Sequence, residues 1–180
     1  MSLPVAVEKT DLSEQEVLDL LELVNSVYRV AEDGIFDETL FPGGIHQRTN
    51  KIELSGWLRK GEILTARDSN TKKIVGCIHC YVVGSGVAEF GLLAVHPNYR
   101  SQGLGRKLID EAQKFAETRL QAKTMQLMLL YPKHWVKENK QVLRKWYTSL
   151  GYVEGANMEF PKKHLVKTEC YFTCFTKPLL

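Results

Sequence analysis

The sequence lacks a long hydrophobic run. No apolar stretch among its 180 residues approaches the roughly 18 residues that a membrane-spanning helix needs. The first four residues, Met-Ser-Leu-Pro, also lack the basic segment and the apolar core of a secretory signal. From these two absences we expect no membrane partner and an intracellular, cytoplasmic protein, with the nucleus left open.

The chain also lacks internal repeats, low-complexity runs and linkers rich in proline or serine. Its length is typical of one domain that buries a full hydrophobic core, so we expect one domain over residues 1–180. A large excess of charge is missing too, since 24 Lys and Arg against 21 Asp and Glu give a net charge of +3. This balance argues against a nucleic-acid partner and suits a single polyanionic ligand.

Cysteine is scarce, with four residues in the whole chain. Cys77 and Cys80 fall on a predicted strand, where residues three apart point to opposite faces. Cys170 and Cys174 share one face of another predicted strand. Neither spacing makes the turn of a zinc knuckle. We therefore expect no metal and four free cysteines, mostly buried as small apolar side chains.

Hydrophobic periodicity predicts the element order β-α-α-β-β-β-α-β-α-β-β, a central mixed sheet with helices on its faces. The first helix follows a capping box at Ser13–Glu16. The second runs from about Asn50 to a stop at Gly61. A third begins at the glycines near residue 104, and a fourth runs from about 137 to 150. The predicted strands cover residues 5–9, 62–67, 73–83, 87–95, 125–131, a stretch from 152 onward, and 169–176.

The most informative segment is 95–108, where an apolar strand ends, a glycine-rich turn follows and an amphipathic helix begins. A helix start leaves its first N–H groups unpaired and carries partial positive charge. Gly103 and Gly105 let these backbone donors approach an anion without obstruction by a Cβ atom. This geometry predicts a site for a pyrophosphate. Full positive charges alongside come from Arg100, Arg106 and Lys107.

Spacing decides between the known phosphate-binding motifs. Leu108 stands where the dinucleotide fingerprint needs a third glycine, and also where a P-loop needs Ser or Thr. What remains is Arg100–Gly105, which resembles the R/Q-x-x-G-x-G/A signature of the GNAT superfamily of acyl-CoA-dependent N-acetyltransferases. The stretches 88–97 before this loop and 146–152 after it are also similar to that family. The resemblance covers nearly the whole chain.

The resemblance implies an α/β fold, a single GNAT-like domain. Its central sheet is mixed, mostly antiparallel and twisted, with about seven strands that splay between strands 4 and 5 and about four flanking helices. The implied co-substrate is acetyl-CoA, and no metal takes part. The implied reaction is direct attack by a primary amine in a ternary complex. The acceptor is a small molecule or a peptide or protein amine, and a homodimer is left open.

The resemblance also places acetyl-CoA along the fourth strand and the glycine loop. Its pantetheine amides are expected to pair with backbone groups at Leu93 and Val95. Relatives often hold this arm with an asparagine seven residues before a tyrosine, and Lys140 occupies that position here, one residue after Asn139. The expected cofactor contacts are Leu93, Ala94, Val95, Arg100, Ser101, Gln102, Gly103, Leu104, Gly105, Arg106, Lys107 and Asn139.

The chemistry requires a base and an acid. An alkylamine with a pKa near ~10 is protonated at neutral pH and cannot attack until it loses a proton. Glu89 is the expected base, since many relatives carry a glutamate there, and without a bulge strand alternation places it on the face of Gly91, Leu93 and Val95. The alternative is a carboxylate that only satisfies a neighbour. Tyr147 is the expected acid for the leaving thiolate, or else a core aromatic residue.

A backbone donor at 93–95 is implied as the group that stabilises the developing oxyanion. The loop between the first two helices is implied as a wall of the acceptor site, where acidic and aromatic residues suit a cationic amine. A solvated acidic loop with its aromatics folded onto the core is the alternative. The expected acceptor contacts are Tyr28, Glu32, Asp33 and Phe36.

Other functions stay open at this point. One is a catalytically silent acyl-CoA-binding sensor or scaffold, and another is an unrelated nucleotide-binding domain that prefers ATP or NAD. A covalent acyl-enzyme on Cys77 or Cys80 is disfavoured, because the histidine between them, His79, points to a different strand face from at least one of them.

Overall fold

The computed structural model describes residues 5–8, 12–30, 47–134, 138–166 and 168–179. Within these ranges the α-helices are α1 (Glu14–Asn25), α2 (Lys51–Lys60), α3 (Leu104–Thr118) and α4 (Glu138–Ser149). The strands are β1 (Val5–Glu8), β2 (Ile63–Asp68), β3 (Ile74–Gly84), β4 (Val87–Val95), β5 (Thr124–Pro132), β6 (Val153–Glu159) and β7 (Cys170–Pro178). None of the described helices has the length and apolar character needed to cross a membrane.

The seven strands form one mixed sheet in the order β1-β2-β3-β4-β5-β7-β6. Neighbouring strands are antiparallel except for β4 and β5, which run parallel. The predicted fold class, element order and mostly antiparallel sheet are therefore confirmed. Sequence analysis missed the π-helix at Ser26–Val30, which continues α1 and carries Tyr28.

The predicted helix ends have the expected chemistry. Ser13 and Glu16 form the reciprocal capping box of α1. The Asn50 side chain accepts hydrogen bonds from the backbone of Ile52 and Glu53 at the start of α2, and Gly61 ends that helix with φ of 68°. Local signals thus fix where these helices begin and end.

The sheet separates two hydrophobic cores. On one face, α3 and α4 pack through Leu104, Leu108 and Tyr147. On the other face, α1 and α2 pack through Leu20 and Leu54. We call these the α3/α4 face and the α1/α2 face. Because both faces are covered, a ligand reaches the middle of the sheet only where two strands separate.

Strand β4 changes faces at a bulge. Cys77 pairs with Ala94 and His79 pairs with Gly91, so the single residue Ile78 lies opposite two residues of β4, Leu92 and Leu93. Leu92 adopts a φ of 50°, which is uncommon for a branched side chain. Before the bulge, the buried side chains of β4 belong to the α3/α4 core; after it, they belong to the α1/α2 core.

The pairing of β4 with β5 stops early. It covers Val87, Ala88 and Glu89 of β4, and Glu89 opposite Gln126 is the last pair. Beyond this point β5 remains paired with β7 to its end, while β4 remains paired with β3. The expected splay between strands 4 and 5 is therefore present, and it opens a wedge in the middle of the sheet.

Asn25 ties the end of α1 to the chain segment that precedes α2. Its side-chain oxygen accepts from the Arg48 backbone N–H at 2.6 Å, and its amide donates to the Thr49 carbonyl at 3.1 Å. Asn25→Leu should lower the free energy of unfolding by about 1–3 kcal/mol, because buried backbone groups lose their partners. Urea denaturation measures this loss. Gln15→Leu, which removes an exposed bond to Asp19, is the control; equal losses in both variants would contradict the assignment.

Candidate active site

A cavity of about 310 Å³ fills the wedge between β4 and β5. Residues 90–93 of β4 and 127–130 of β5 form its two walls. Helix α4 covers it from the α3/α4 face, and Tyr28 and Arg48 lie on the α1/α2 side. The size and the mostly apolar lining with a few polar groups are typical of a small-molecule site.

One end of the cavity meets the start of α3. Arg100 and Gly105 line this end. Gly103 is the N-cap residue with φ of 85°, and no side chain caps the helix. The first N–H groups of α3 therefore have no partner within the helix and can donate to an anion. This end of the cavity has the chemistry of a phosphate site.

The two glycines have different physical roles. Gly103 holds a left-handed conformation that other residues adopt only with strain. Gly105 lies under Trp146, since a Cβ atom there would be 3.3 Å from the indole ring. The indole forms the edge of the cavity beside the helix start. A side chain at either position would disturb the same end of the site, one by conformation and the other by contact.

The loop before α3 is tethered to the hairpin between β2 and β3. The Tyr99 hydroxyl donates to Asp68 at 2.7 Å, and the same carboxylate accepts from the backbone N–H groups of Asn70 and Thr71. These hydrogen bonds, with that from Thr71 the strongest, lower the pKa of Asp68 to about 2. The anion holds Tyr99 in place, and with it the neighbouring Arg100.

Helix α4 supplies a cation and a phenol to the cavity. Lys140 is fully buried and Tyr147 is 6% exposed, and both line the cavity from one face of the helix. Burial raises the pKa of Tyr147 well above that of a free tyrosine, with smaller contributions from Tyr28 and Tyr152. The Tyr147 hydroxyl is therefore protonated at neutral pH.

Tyr28 and Arg48 form the opposite side of the cavity. The Tyr28 hydroxyl donates to the Leu93 carbonyl at 3.1 Å, and the Arg48 guanidinium carbon lies 5.3 Å from the centre of the Tyr28 ring. The expected pairing of a ligand amide with Leu93 must therefore share that carbonyl with Tyr28. A carbonyl oxygen has two lone pairs, so both bonds can form.

Glu89 lies on the α1/α2 face of the sheet. Its carboxylate accepts from the Tyr81 hydroxyl at 2.5 Å and from the Gln126 amide at 2.7 Å. The Tyr81 ring stacks on His79, which in turn stacks on Trp57 of α2, with 4.5 Å between ring centres in each pair.

The expectation that Glu89 shares a face with Leu93 and Val95 is wrong. Glu89 and Gly91 precede the bulge and face α1 and α2, whereas Leu93 and Val95 follow it and pack against the α3/α4 core. The extra residue in β4 reverses the alternation of side chains. A bulge of this kind has no clear signal in a run of apolar residues.

The other expected contacts are divided between core and surface. Leu104 and Ala94 are buried in the cores, so only their backbone groups can meet a ligand. Ser101, Gln102, Gly103 and Arg106 are exposed, and Lys107 is partly buried on the first turn of α3. The side chain of Asn139 lies outside what the structure describes, as do the expected acceptor contacts Glu32, Asp33 and Phe36.

Several residues of the site escaped sequence analysis as contacts: Arg48, Tyr81, Gln126, Lys140 and Trp146. Gln126 lies in a segment that the sequence predicts as a strand, and Trp146 lies in a predicted helix whose apolar residues suit the core. Lys140 was noted only as a departure from the family pattern, although a charge in the apolar stripe of α4 is a usable signal. Among the described residues, no cluster of three His, Cys, Asp or Glu side chains could hold a metal ion.

Comparison with known proteins agrees with this geometry. The model of the acetyltransferase (GNAT) domain family matches residues 59–154, which include β4, the glycine loop, α3 and all of α4. No curated protein matches the chain at a significant level.

Solved structures share the fold at low sequence identity. The NatC complex bound to Gag peptide and CoA has a TM-score of 0.68 at 16% identity, with 100% of both chains covered. YncA from Salmonella typhimurium, solved with acetyl-CoA, has a TM-score of 0.67 at 15% identity, covering 98% of this chain and 95% of that one. Ard1 from Thermoplasma volcanium has a TM-score of 0.65 at 13% identity, covering 98% and 99%.

The Asp68 anion gives a test of the loop tether. Its pKa is lower in the folded chain than in the unfolded chain, so its stabilisation is complete above about pH 4 and is lost as pH falls towards 2. Asp68→Asn should lower the melting temperature at pH 7, and its deficit should shrink between pH 4 and pH 2.5. Thermal unfolding across this range measures the deficit. A deficit that stays constant with pH would contradict the role of the anion.

Proposed function

The chain belongs to the GNAT family of acetyltransferases, and we propose that it transfers the acetyl group of acetyl-CoA directly to a primary amine. One observation carries this proposal. The wedge between β4 and β5 holds a cavity that ends at the uncapped start of α3, so a long ligand with a diphosphate at one end fits along it.

The cavity suits acetyl-CoA in charge as well as in shape. Its described lining includes three cations, Arg48, Arg100 and Lys140, and no carboxylate. Arg100 and the N–H groups of α3 would bind the diphosphate. Lys140 would donate to a pantetheine carbonyl in place of the asparagine that relatives carry there.

The bulge in β4 supports a mechanism in which the two proton transfers take place on opposite faces of the sheet. Glu89 on the α1/α2 face would take the proton from the incoming amine. Tyr147 on the α3/α4 face would give a proton to the leaving thiolate, since it is a phenol that lines the cavity. The amine nitrogen and the thioester sulfur are different substituents of the tetrahedral carbon, so a base and an acid on separate faces can serve them without competing for one position.

The bulge also suits a backbone donor. An extra residue interrupts the regular pairing of the strand, and both residues at the bulge, Leu92 and Leu93, line the cavity, so we propose a backbone N–H of one of them as the donor. We assign it to the oxyanion that forms at the carbonyl carbon. A covalent acyl-enzyme is a poor alternative, because burial raises the pKa of the Cys77 and Cys80 thiols to about 12.

The acceptor would approach over Gly91. This residue lines the cavity and faces α1 and α2, and no described atom lies within 4 Å of the place where its Cβ would sit. Glu89 is two residues away from Gly91 on the same strand, and His79 is the partner of Gly91 on β3. Tyr28 lies on this side too, and the assignment of Glu32, Asp33 and Phe36 to the acceptor site stays a prediction.

The direct test is calorimetric titration of the protein with acetyl-CoA, with ATP and NAD as controls, followed by CoA release from a panel of primary amines. We expect selective acetyl-CoA binding and amine-dependent release. Binding without release from any amine would favour a silent acyl-CoA-binding module. A burst of free CoA without an amine would contradict direct attack, and no binding of acetyl-CoA would overturn the proposal.

Substitutions at the start of α3 test the diphosphate site. Arg100→Ala should weaken acetyl-CoA binding about 2- to 30-fold, because a partly exposed charge–phosphate pair is lost. Gly105→Val should weaken it more, since the new side chain meets Trp146 and narrows the cavity. The matched control is Gly56→Val, on α2 with no described atom near its Cβ position. Normal acetyl-CoA affinity in Gly105→Val, measured by calorimetry, would refute this placement.

Glu89→Gln and Tyr147→Phe test the proton transfers. Each should lower kcat with the best amine of the panel, by about 100-fold or more for loss of a positioned base or acid. Affinity for acetyl-CoA should change less than about two-fold, because neither group is assigned to binding of the diphosphate. The controls are Glu22→Gln, exposed on α1, and Tyr171→Phe on β7. Unchanged kcat in either variant would remove that residue from the mechanism.

A further inference from the structure

Glu89, the base in the proposed function, has both carboxylate oxygens engaged. The Tyr81 hydroxyl donates to Oε1 at 2.5 Å, and the Gln126 amide nitrogen donates to Oε2 at 2.7 Å. The three residues are directly paired across β3, β4 and β5, so they form one row on one face of the sheet. Two donors from two different strands thus fix a single carboxylate.

This row lies at the closed end of the wedge. Glu89 and Gln126 are the last pair before β4 and β5 separate, and Gly91 lines the cavity two residues further along β4. A hydrogen bond across the last pair therefore joins the two strands at the point where they begin to diverge. The same bond orients the carboxylate beside the path over Gly91.

The two donors are themselves held in place. The Tyr81 ring stacks on His79, whose Nε2 lies 3.2 Å from Glu62. The Cys174 thiol donates to the Gln126 side-chain oxygen at 3.9 Å, which leaves the amide nitrogen directed at Glu89. A carboxylate only accepts hydrogen bonds, so this orientation of the amide suits the ionised form of Glu89.

We propose that Tyr81 and Gln126 are positioning residues that hold the Glu89 carboxylate as an oriented anion at the closed end of the wedge. The proposal rests on the proposed function, in which Glu89 takes the proton of the amine. Each carboxylate oxygen has two lone pairs, so two sites remain for that proton after both bonds have formed. The proton leaves the amine nitrogen and bonds to a carboxylate oxygen, while the nitrogen lone pair bonds to the carbonyl carbon and the carbonyl π electrons move to its oxygen. When this oxyanion collapses, the C–S bond breaks and CoA leaves as the thiolate, which takes its proton from Tyr147.

The row has other titratable and charged neighbours. They are Tyr81 and His79 on β3, Glu62 just before β2, Cys174 on β7, and Arg48. Loss of the Tyr81 or the Gln126 donor leaves one carboxylate oxygen of Glu89 without the hydrogen bond that orients it. A variant without one donor should therefore lose kcat while it keeps its affinity for acetyl-CoA.

The kinetic experiment compares Tyr81→Phe and Gln126→Leu with the wild-type protein, using acetyl-CoA and the best amine of the panel. In each variant kcat should fall about 10-fold or more, because the proposed base is no longer held in one orientation. KM for acetyl-CoA should change less than two-fold, and Tyr171→Phe should leave both values unchanged. In a Glu89→Gln background, Tyr81→Phe should change kcat less than two-fold, because its effect acts through Glu89.

A second readout needs no activity and keeps the two proposals distinguishable. In protein labelled with carbon-13 at glutamate carboxyls, the Glu89 signal is the one lost in Glu89→Gln. Its chemical shift at neutral pH should change in Tyr81→Phe and Gln126→Leu but not in Tyr171→Phe, whether or not any amine is acetylated. An unchanged chemical shift, or an equal loss of kcat from Tyr81→Phe with and without the Glu89 carboxylate, would overturn the positioning role.

Discussion

One extra residue in β4, opposite Ile78, reverses which side chains of that strand face α1 and which face α3. Without it, Glu89 and the groups that line the wedge would share one face of the sheet. With it, the carboxylate belongs to the α1/α2 face, and Leu93 and Val95 belong to the α3/α4 face. At the bulge, the Leu92 backbone adopts a strained φ of 50°. The placement of Glu89 on one face, and of Leu93 and Val95 on the other, depends on this change of face.

Charge is distributed as unevenly as the side chains. The net charge of +3 is not spread evenly over the chain. The described lining of the cavity carries cations, whereas Glu62 and Glu89 lie outside this lining on the α1/α2 face. A polyanionic ligand and a cationic amine would therefore meet opposite local fields as they approach each other. At separations below the Debye length of about 8 Å, such local fields outweigh the net charge of the chain.

Short segments of the sequence determine where several of the helices begin and end. The capping box at Ser13, the Asn50 cap and the Gly61 stop place α1 and α2 where the sequence predicts them. The glycine loop likewise predicts an uncapped start of α3. Each signal acts within a few residues, through a hydrogen bond or a backbone conformation that the residue types themselves allow. The change of face at Leu92 has no such local signal. In a run of apolar residues, leucine side chains are buried whichever face of the sheet they point to, so the sequence is compatible with a strand that has the bulge and with one that lacks it.

The sequence by itself determined the order of the elements, the glycine loop at the start of α3 and the residue types available for acid and base chemistry. Only the tertiary structure decided which of them meet. Tyr81, Glu89 and Gln126 come from three strands and form a row only through the register of the sheet. Arg48 and Lys140 line one cavity from opposite sides although 92 positions separate them in the chain (140 minus 48). Register and packing join distant residues, and no pattern within one segment contains that information.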